Sequence, residues 1–278
     1  MQTLEAMPGF TFGCDPELFV TDPDGNLCSA EGLIPGTKEE PYKVDYGAVQ
    51  VDGVAAEFNT DPASTFEEWN NNIVKVVKQL KSMLPKGYNL LPVPSVNFTP
   101  EQWERVPAVS KILGCSPDYN AWTGEVNKPP MCEDNPYLRT ASGHLHIGWT
   151  ELEDMSNMGH IVNCQDLVKQ LDFYLGAWSL QKDEDPIRRQ LYGNAGSCRY
   201  KDYGVEYRVL SNFWITRKDL RLQVWNRMQK AIWDMSSNYL PDNAVKHGFD
   251  KLVIQSINTS KRDVILEDRY YFPIHRLS

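Results

Sequence analysis

The 278-residue chain has no glycine-rich phosphate loop: neither G-x-x-x-x-G-K-[ST] nor G-x-G-x-x-G occurs in it. That excludes the two commonest backbone cradles for a nucleotide, so a nucleotide would have to be held through metals and arginines. The six cysteines are scattered, with no C-x-x-C pair, which excludes a zinc ribbon and a dense disulfide framework and fits free thiols in a reducing compartment. No apolar run approaches the roughly 18 residues that span a bilayer, and the first residues carry neither a basic n-region nor an apolar h-region. The expectation is a soluble, cytoplasmic protein (host cytoplasm if the source is viral) with no membrane partner. Basic residues are in deficit, with a formal net charge of -9, which argues against nonspecific nucleic-acid binding. There is no internal repeat, low-complexity tract or clear linker, so 1–278 reads as a single domain with a loop-rich insertion at about 99–136.

A core is well supplied by 41% hydrophobic and 11% aromatic residues. Residues 10–20 alternate with period two up to a Pro-Asp-Gly turn at 23–25, which predicts a hairpin. The Asp52-Gly53 turn inside residues 43–59 predicts a second. Ser64 with Glu67 forms a capping-box signature for a helix whose stripe is Trp69, Ile73, Val76, Val77, Leu80 and Leu84. Residues 89–98 read as an edge strand, because Pro92 and Pro94 cannot donate to a ladder, and a short helix is expected at 100–105. Residues 139–149 return to strand alternation. Two more amphipathic helices follow, one over 161–180 with Val162, Leu167, Leu171, Tyr174, Leu175 and Trp178 inward, the other capped by Thr216 with Leu220, Val224, Trp225, Met228, Ile232 and Met235 inward. A late strand is expected at Asp263-Leu266. The insertion at 99–136 is expected to be a substrate-facing lid.

The chemistry-bearing residues sit on the predicted strands. Asp15 and Glu17 share a face of the first, and two carboxylates at i and i+2 repel unless they face water or a cation. Glu57 lies among small and apolar neighbours. His144 and His146 form an H-x-H pair on one strand face, a ligand pattern for zinc and other divalent ions. In an acidic chain, residues 188–214 concentrate Arg188, Arg189, Arg199 and Arg208 around Glu206, as a place that holds anions would. Strand alternation puts Glu206 and Arg208 on one face, which is readable either as a cross-strand ion pair or as part of a metal and phosphate site. Taken together the four places describe an antiparallel sheet with one carboxylate- and imidazole-bearing face, backed by three long helices. Several buried carboxylates on one face require water or divalent cations beside them.

Gly13-x-Asp15-x-Glu17, Glu57 before Asn59-x-x-Pro62, S-G-H-x-H-x-G at 142–148, R-x-x-x-Y-G at 188–193 and V-E-Y-R at 205–208 together resemble the carboxylate-amine ligase superfamily of glutamine synthetase and glutamate-cysteine ligase. G-H-x-H-I-G, Y-G-x-x-G-x-x-R and E-Y-R-x-L-S-N-F-W resemble more particularly the phage-type carboxylate-amine ligases (amidoligases), type 2, over nearly the whole chain. The resemblance implies an α+β fold with a glutamine-synthetase-like antiparallel funnel, two or three Mg2+ or Mn2+ ions, and ATP. By it Glu17, Glu57, Glu206 and His144 would ligate metal, with Asp15 a further ligand where the relatives usually carry glutamate. Arg188, Arg189, Arg199 and Arg208 would hold phosphoryl oxygens and the substrate carboxylate, while Glu57 or Asp61 takes the amine proton. His146, Asn59 and Arg139 would lie on the substrate side. The implied partners are small-molecule, peptide or cell-wall-derived acids and amines. Two alternatives stay open on the residues alone: a zinc hydrolase using the H-x-H strand, and a non-catalytic viral binding or structural protein.

Overall fold

A computed structural model describes residues 2–112, 118–128, 135–183, 185–237 and 239–261. In chain order these form β1 (Thr11–Thr21), β2 (Leu27–Cys28), β3 (Tyr42–Val44), β4 (Gly47–Asp52), β5 (Ala55–Thr60), α1 (Phe66–Met83), β6 (Asn89–Leu91) and β7 (Ser95–Asn97). Next come α2 (Pro100–Arg105), α3 (Ala108–Lys111), β8 (Tyr119–Asn120), β9 (Leu138–Thr140), β10 (Gly143–Gly148), α4 (Met158–Leu171), α5 (Ala177–Ser179) and α6 (Arg188–Leu191). The described chain ends with β11 (Ser197–Lys201), β12 (Gly204–Tyr207), α7 (Lys218–Asp234), α8 (Leu240–His247) and α9 (Asp250–Thr259).

The result is an α+β architecture around one large antiparallel sheet in the order β3-β4-β5-β1-β10-β12-β11-β8, with β2 and β6 also pairing with β1. Its central strand is the first in the chain. Along β1, Phe12, Cys14, Leu18 and Val20 point into the apolar core while Asp15 and Glu17 point the other way, as the period of two requires. On the core side α1, α4 and α7 bury their stripes against the sheet. Trp69 stacks on Trp214 with centroids 5.3 Å apart, and Phe12 meets Trp225 edge-on at 5.0 Å; each such pair adds about 0.5–1.5 kcal/mol beyond its buried area. A smaller core of Phe19, Val54, Ala55, Phe98, Val106 and Ala141 lies under the two-stranded β7-β9 sheet and closes one end of the polar face.

Several sequence expectations shift. The first helix is capped by Thr65, whose side chain accepts from Glu68 N, while Glu68 bonds back to Ser64 N; the Ser64/Glu67 box is thus displaced by one residue, because a second hydroxyl and a second glutamate stand at the same spacing. Pro92 and Pro94 break the 89–98 strand into β6 and β7, which pair with different partners. The 161–180 helix is interrupted by a π-turn at Asp172–Gly176, and Val162, expected inward, is 45% exposed. Arg217, with no side-chain capping bond, replaces Thr216 as N-cap of α7. The expected strand at 263–266 lies outside the described residues. Among the described residues no helix is long and apolar enough to cross a membrane.

Candidate functional site

Register brings the polar residues together. In β1 against β10, Asp15 pairs with His144 and Gly13 with His146; in β10 against β12, His146 pairs with Glu206; in β11 against β12, Arg199 pairs with Glu206. On the other side of β1, Glu17 pairs with Glu57 and Glu57 with Gln50. Residues far apart in sequence thus become neighbours across six adjacent strands, β4 to β11 in sheet order, all on the face away from the helices.

One half of this face is densely compensated. His144 Nδ1 lies 3.3 Å from Asp15 Oδ1 and 3.4 Å from Glu206 Oε1, and His146 Nε2 lies 3.1 Å from Asp15 Oδ1. Asp15, His144 and Glu206 each offer one ligand atom, all within 4.8 Å of one another. Glu206, wholly buried, also receives Lys201 at 3.0 Å, Arg199 at 3.4 Å and a short contact from Arg208. Burial alone raises a carboxylate's pKa, but Arg208 and the two imidazoles outweigh it and hold Glu206 well below the usual range. Burial is likewise overcome at Asp15, where His146 and then His144 draw the carboxyl well down. Burial and the neighbouring Arg208 cation push the His144 imidazole down to about 4, so at neutral pH it is uncharged and fit to ligate. His146 is drawn the other way, since Asp15 outweighs the effect of burial and raises it. Its Nδ1 meets the Tyr203 hydroxyl in a short hydrogen bond.

The other half is short of cations. Glu57 is buried and accepts from Gln50 Nε2 at 2.9 Å; burial and then Asp15, Asp52 and Glu17 push it well above the ordinary range. Glu17 accepts from Ser142 N at 2.7 Å, yet burial and the nearby Asp52 raise it to about 7. Asp52 itself is paired with Lys38 at 3.2 Å. Beside both halves opens a cleft of about 190 Å³ whose lining includes Glu17, Asp52, Arg199 and Arg208 on the sheet side and Ile112, Asp118 and Lys128 from the 99–136 section.

The remaining candidates fall in three places. Asn59 follows Glu57 by two on β5 and therefore shares its face. Arg139 lines the cleft, with its guanidinium donating to the Pro136, Leu138 and Lys111 carbonyls and stacked 4.2 Å from the Trp103 ring centre. Arg188 and Arg189 correct the expectation of phosphate-holding arginines. Arg188 is wholly buried and donates to Ala141 O, Val209 O, Leu210 O and Ser142 Oγ at 2.9–3.0 Å. Arg189 donates to the Gly193 and Val209 carbonyls. Where β10 begins and β12 ends, the Ala141 and Val209 carbonyls need buried donors, and a five-donor guanidinium supplies several bonds at once.

Other participants are absent from the sequence candidates. Lys201 was findable, since it follows Arg199 by two on the same strand. Gln50 and Asp52 stand at i and i+2 before a turn, a weaker form of the same signal. Tyr203 sits in a tight turn, and Asp118, 3.6 Å from Arg208 Nε, in a loop; neither position announces its neighbours.

No protein-family model matches the chain, and no curated protein matches it at a significant level. Among solved structures it is similar to a bifunctional glutathione synthetase from Pasteurella multocida, at 12% identity and a TM-score of 0.39, over 92% of this chain and 48% of that one. The chain therefore spans about half the length of that protein. A superposition this loose carries neither fold detail nor function across, and the class rests on the site: an α+β protein with a buried His/Asp/Glu cluster that could hold a metal ion.

Proposed function

We propose that this protein is an ATP-dependent carboxylate-amine ligase that joins a small-molecule, peptide or cell-wall-derived acid to an amine through an acyl phosphate. The observation that carries the reading is a single sheet face on which Asp15, Glu17, Glu57, His144, His146 and Glu206 meet Arg199, Lys201 and Arg208 beside a cleft. The motifs shared with the glutamine-synthetase-like ligases, and with the funnel fold they imply, point the same way.

The residues suit divalent cations. Asp15 Oδ1 is buried, with the His144 and His146 ring nitrogens 3.3 and 3.1 Å away but in no well-aligned hydrogen bond, and a carboxylate oxygen facing two imidazoles in this way is one that a divalent cation could bridge. Asp15, His144 and Glu206 would hold one ion, and Glu17 with Glu57 would hold another, an oxygen-rich set of the kind Mg2+ and Mn2+ take. Bound there, such ions would neutralise triphosphate oxygens and the charge that builds during transfer.

The chain's own groups do the rest. Arg208 and Arg199 present fixed positive charge toward the cleft, where it counts most in the transition state. The substrate carboxylate oxygen attacks the γ-phosphorus, the bond to the β–γ bridging oxygen breaks and ADP leaves. The amine nitrogen then attacks the acyl carbon, loses its proton and expels phosphate. Glu57 could take the amine proton only when it is not itself holding the ion, and Asp61, the other candidate base, is partly exposed and paired with Lys43 at 2.7 Å.

The test is hydroxamate formation from ATP, Mg2+, hydroxylamine and a panel of carboxylates, read together with ADP release. Hydroxamate that disappears in Glu206→Gln supports ligation; neither hydroxamate nor ADP with any acid sinks it. A zinc hydrolase remains the second reading because two imidazoles flank Asp15. Stoichiometric, tightly held zinc in metal analysis would favour it, and loose Mn2+ with ATP-dependent thermal stabilisation would favour the ligase.

A further inference from the structure

On the far side of the sheet from the metal-type cluster, the π-turn at Asp172–Gly176 carries a carboxylate that the proposed chemistry does not use. Asp172 is wholly buried. Its Oδ2 accepts from Trp122 Nε1 and from Gly196 N, both at 2.7 Å, and its Oδ1 accepts from the Tyr207 hydroxyl at 2.8 Å. The three donors belong to three different segments. Trp122 lies in the small hairpin of residues 118–128, Gly196 leads into β11 and Tyr207 ends β12.

The surroundings are shaped to this carboxylate. A Cβ on Gly176 would lie 2.8 Å from Ile257 Cδ1, 2.9 Å from the Tyr207 hydroxyl and 3.3 Å from Asp172 Oδ1, so a glycine in the π-turn leaves room for the Tyr207–Asp172 bond. A Cβ on Gly196 would come within 2.7 Å of Trp122 Cδ1, and Ala121 N donates to Gly196 O at 2.8 Å. π-Turns inside helices are found disproportionately at functional sites.

Through Trp122 these bonds add a side-chain tie to the outer wall of the cleft, which β8 also joins to β11 by main-chain pairing. The 118–128 hairpin supplies Asp118, Val126, Asn127 and Lys128 to the cleft lining, and its Asp118 faces Arg208. Across from it, β11 and β12 carry Arg199 and Glu206. We propose that Asp172 is a positioning residue: one buried carboxylate fastens the cleft's outer wall to the two strands that bear the proposed phosphoryl-handling residues, and so sets the width of the substrate entrance. In its kinetic part the proposal rests on the ligase reading; in its structural part it does not.

Asp172→Asn can keep the network, with Oδ1 accepting from Trp122 and Gly196 and the amide donating to the Tyr207 oxygen. Asp172→Leu cannot, and Trp122→Phe cuts only the tie to the hairpin. Hydrogen exchange is followed at Ala121 and Asn127 in the hairpin and at Leu145 and Ile147 in the central sheet. Exchange in the hairpin should rise at least tenfold in Trp122→Phe and Asp172→Leu, with Leu145 and Ile147 unchanged in Trp122→Phe, and stay near wild type in Asp172→Asn. In the hydroxamate assay Trp122→Phe should raise the KM for the acid about tenfold and leave kcat within about threefold. Unchanged hairpin exchange in Trp122→Phe, equal loosening of the central sheet, or an Asp172→Asn variant as impaired as Asp172→Leu would each overturn the proposal. If the wild-type enzyme makes no hydroxamate the ligase reading fails, and the exchange arm still decides the role of Asp172.

Discussion

The two halves of the sheet's polar face solve the same problem in opposite ways. Around Glu206 and Asp15, burial is offset by arginines, a lysine and two imidazoles, so the carboxylates are held ionised. Around Glu17 and Glu57, burial is reinforced by other carboxylates, so the same chemical group is pushed toward its neutral form. Carboxylate identity therefore says little by itself; the sign of the neighbours decides whether a buried acid stabilises the fold or waits for a cation.

The largest expected effect comes from removing the anion on which the compensated half depends. Glu206→Ala leaves Arg208, Arg199 and Lys201 facing one another, and breaking a buried pair from one side costs about 3–5 kcal/mol. Denaturant unfolding should show a loss of that order, and hydroxamate formation should fall below detection. Next, His144→Ala should weaken Mn2+ binding at least tenfold, measured by the paramagnetic signal of free Mn2+.

The sharpest contrast is in the response to pH. Glu17 is raised to about 7 from an ordinary value near 4.5, so the stability tied to its neutral form is complete below about 4.5 and lost as pH rises through 7. Asp15 and Glu206 are depressed, so their stabilisation is present above the ordinary carboxylate range and lost only as pH falls well below it. Glu17→Gln should accordingly gain about 1–2 kcal/mol on wild type between pH 4.5 and 7.5 without metal, a figure discounted because Glu17 faces the open cleft. With saturating Mn2+ the order should reverse, since the ion stabilises wild type and not the variant. If Glu17→Gln shows no pH-dependent gain, the contrast between the halves is wrong. The smallest effect is expected for Lys201→Ala. Its side chain is 28% exposed and Glu206 keeps two arginines, so a change of about 0–1 kcal/mol in the same unfolding measurement is expected.

Much of this is legible in sequence because strands report their faces through a period of two. Asp15 with Glu17, His144 with His146 and Glu206 with Arg208 are each assigned to one face by alternation alone. That all of them share a single face depends on register between distant strands, which local pattern does not encode. The arginines show the limit most clearly. Arg188, Arg189, Arg199 and Arg208 look alike in the chain, yet two bond main-chain carbonyls inside the protein and two face the cleft. What separates them is where strand ends leave carbonyls unpaired, a property of the assembled fold. Asp172 is hidden for a related reason, because a polar residue within an apolar helical stripe acquires meaning only through the three donors that converge on it.

The place of β1 has a consequence in time. The strand at the centre of the sheet is the first to be made, and it pairs with β5 on one side but with β10, some 130 residues later, on the other. At a synthesis rate of roughly 5–20 residues per second, one edge of β1 waits on the order of ten seconds for its partner. An open strand edge invites pairing with other chains. Here the waiting strand carries the charge of Asp15, which blunts such pairing as charged residues do on permanent edges. The residue that would later ligate a cation thus also guards the nascent chain, and replacing Asp15 with an apolar residue should lower the yield of soluble protein more than it lowers the stability of what folds.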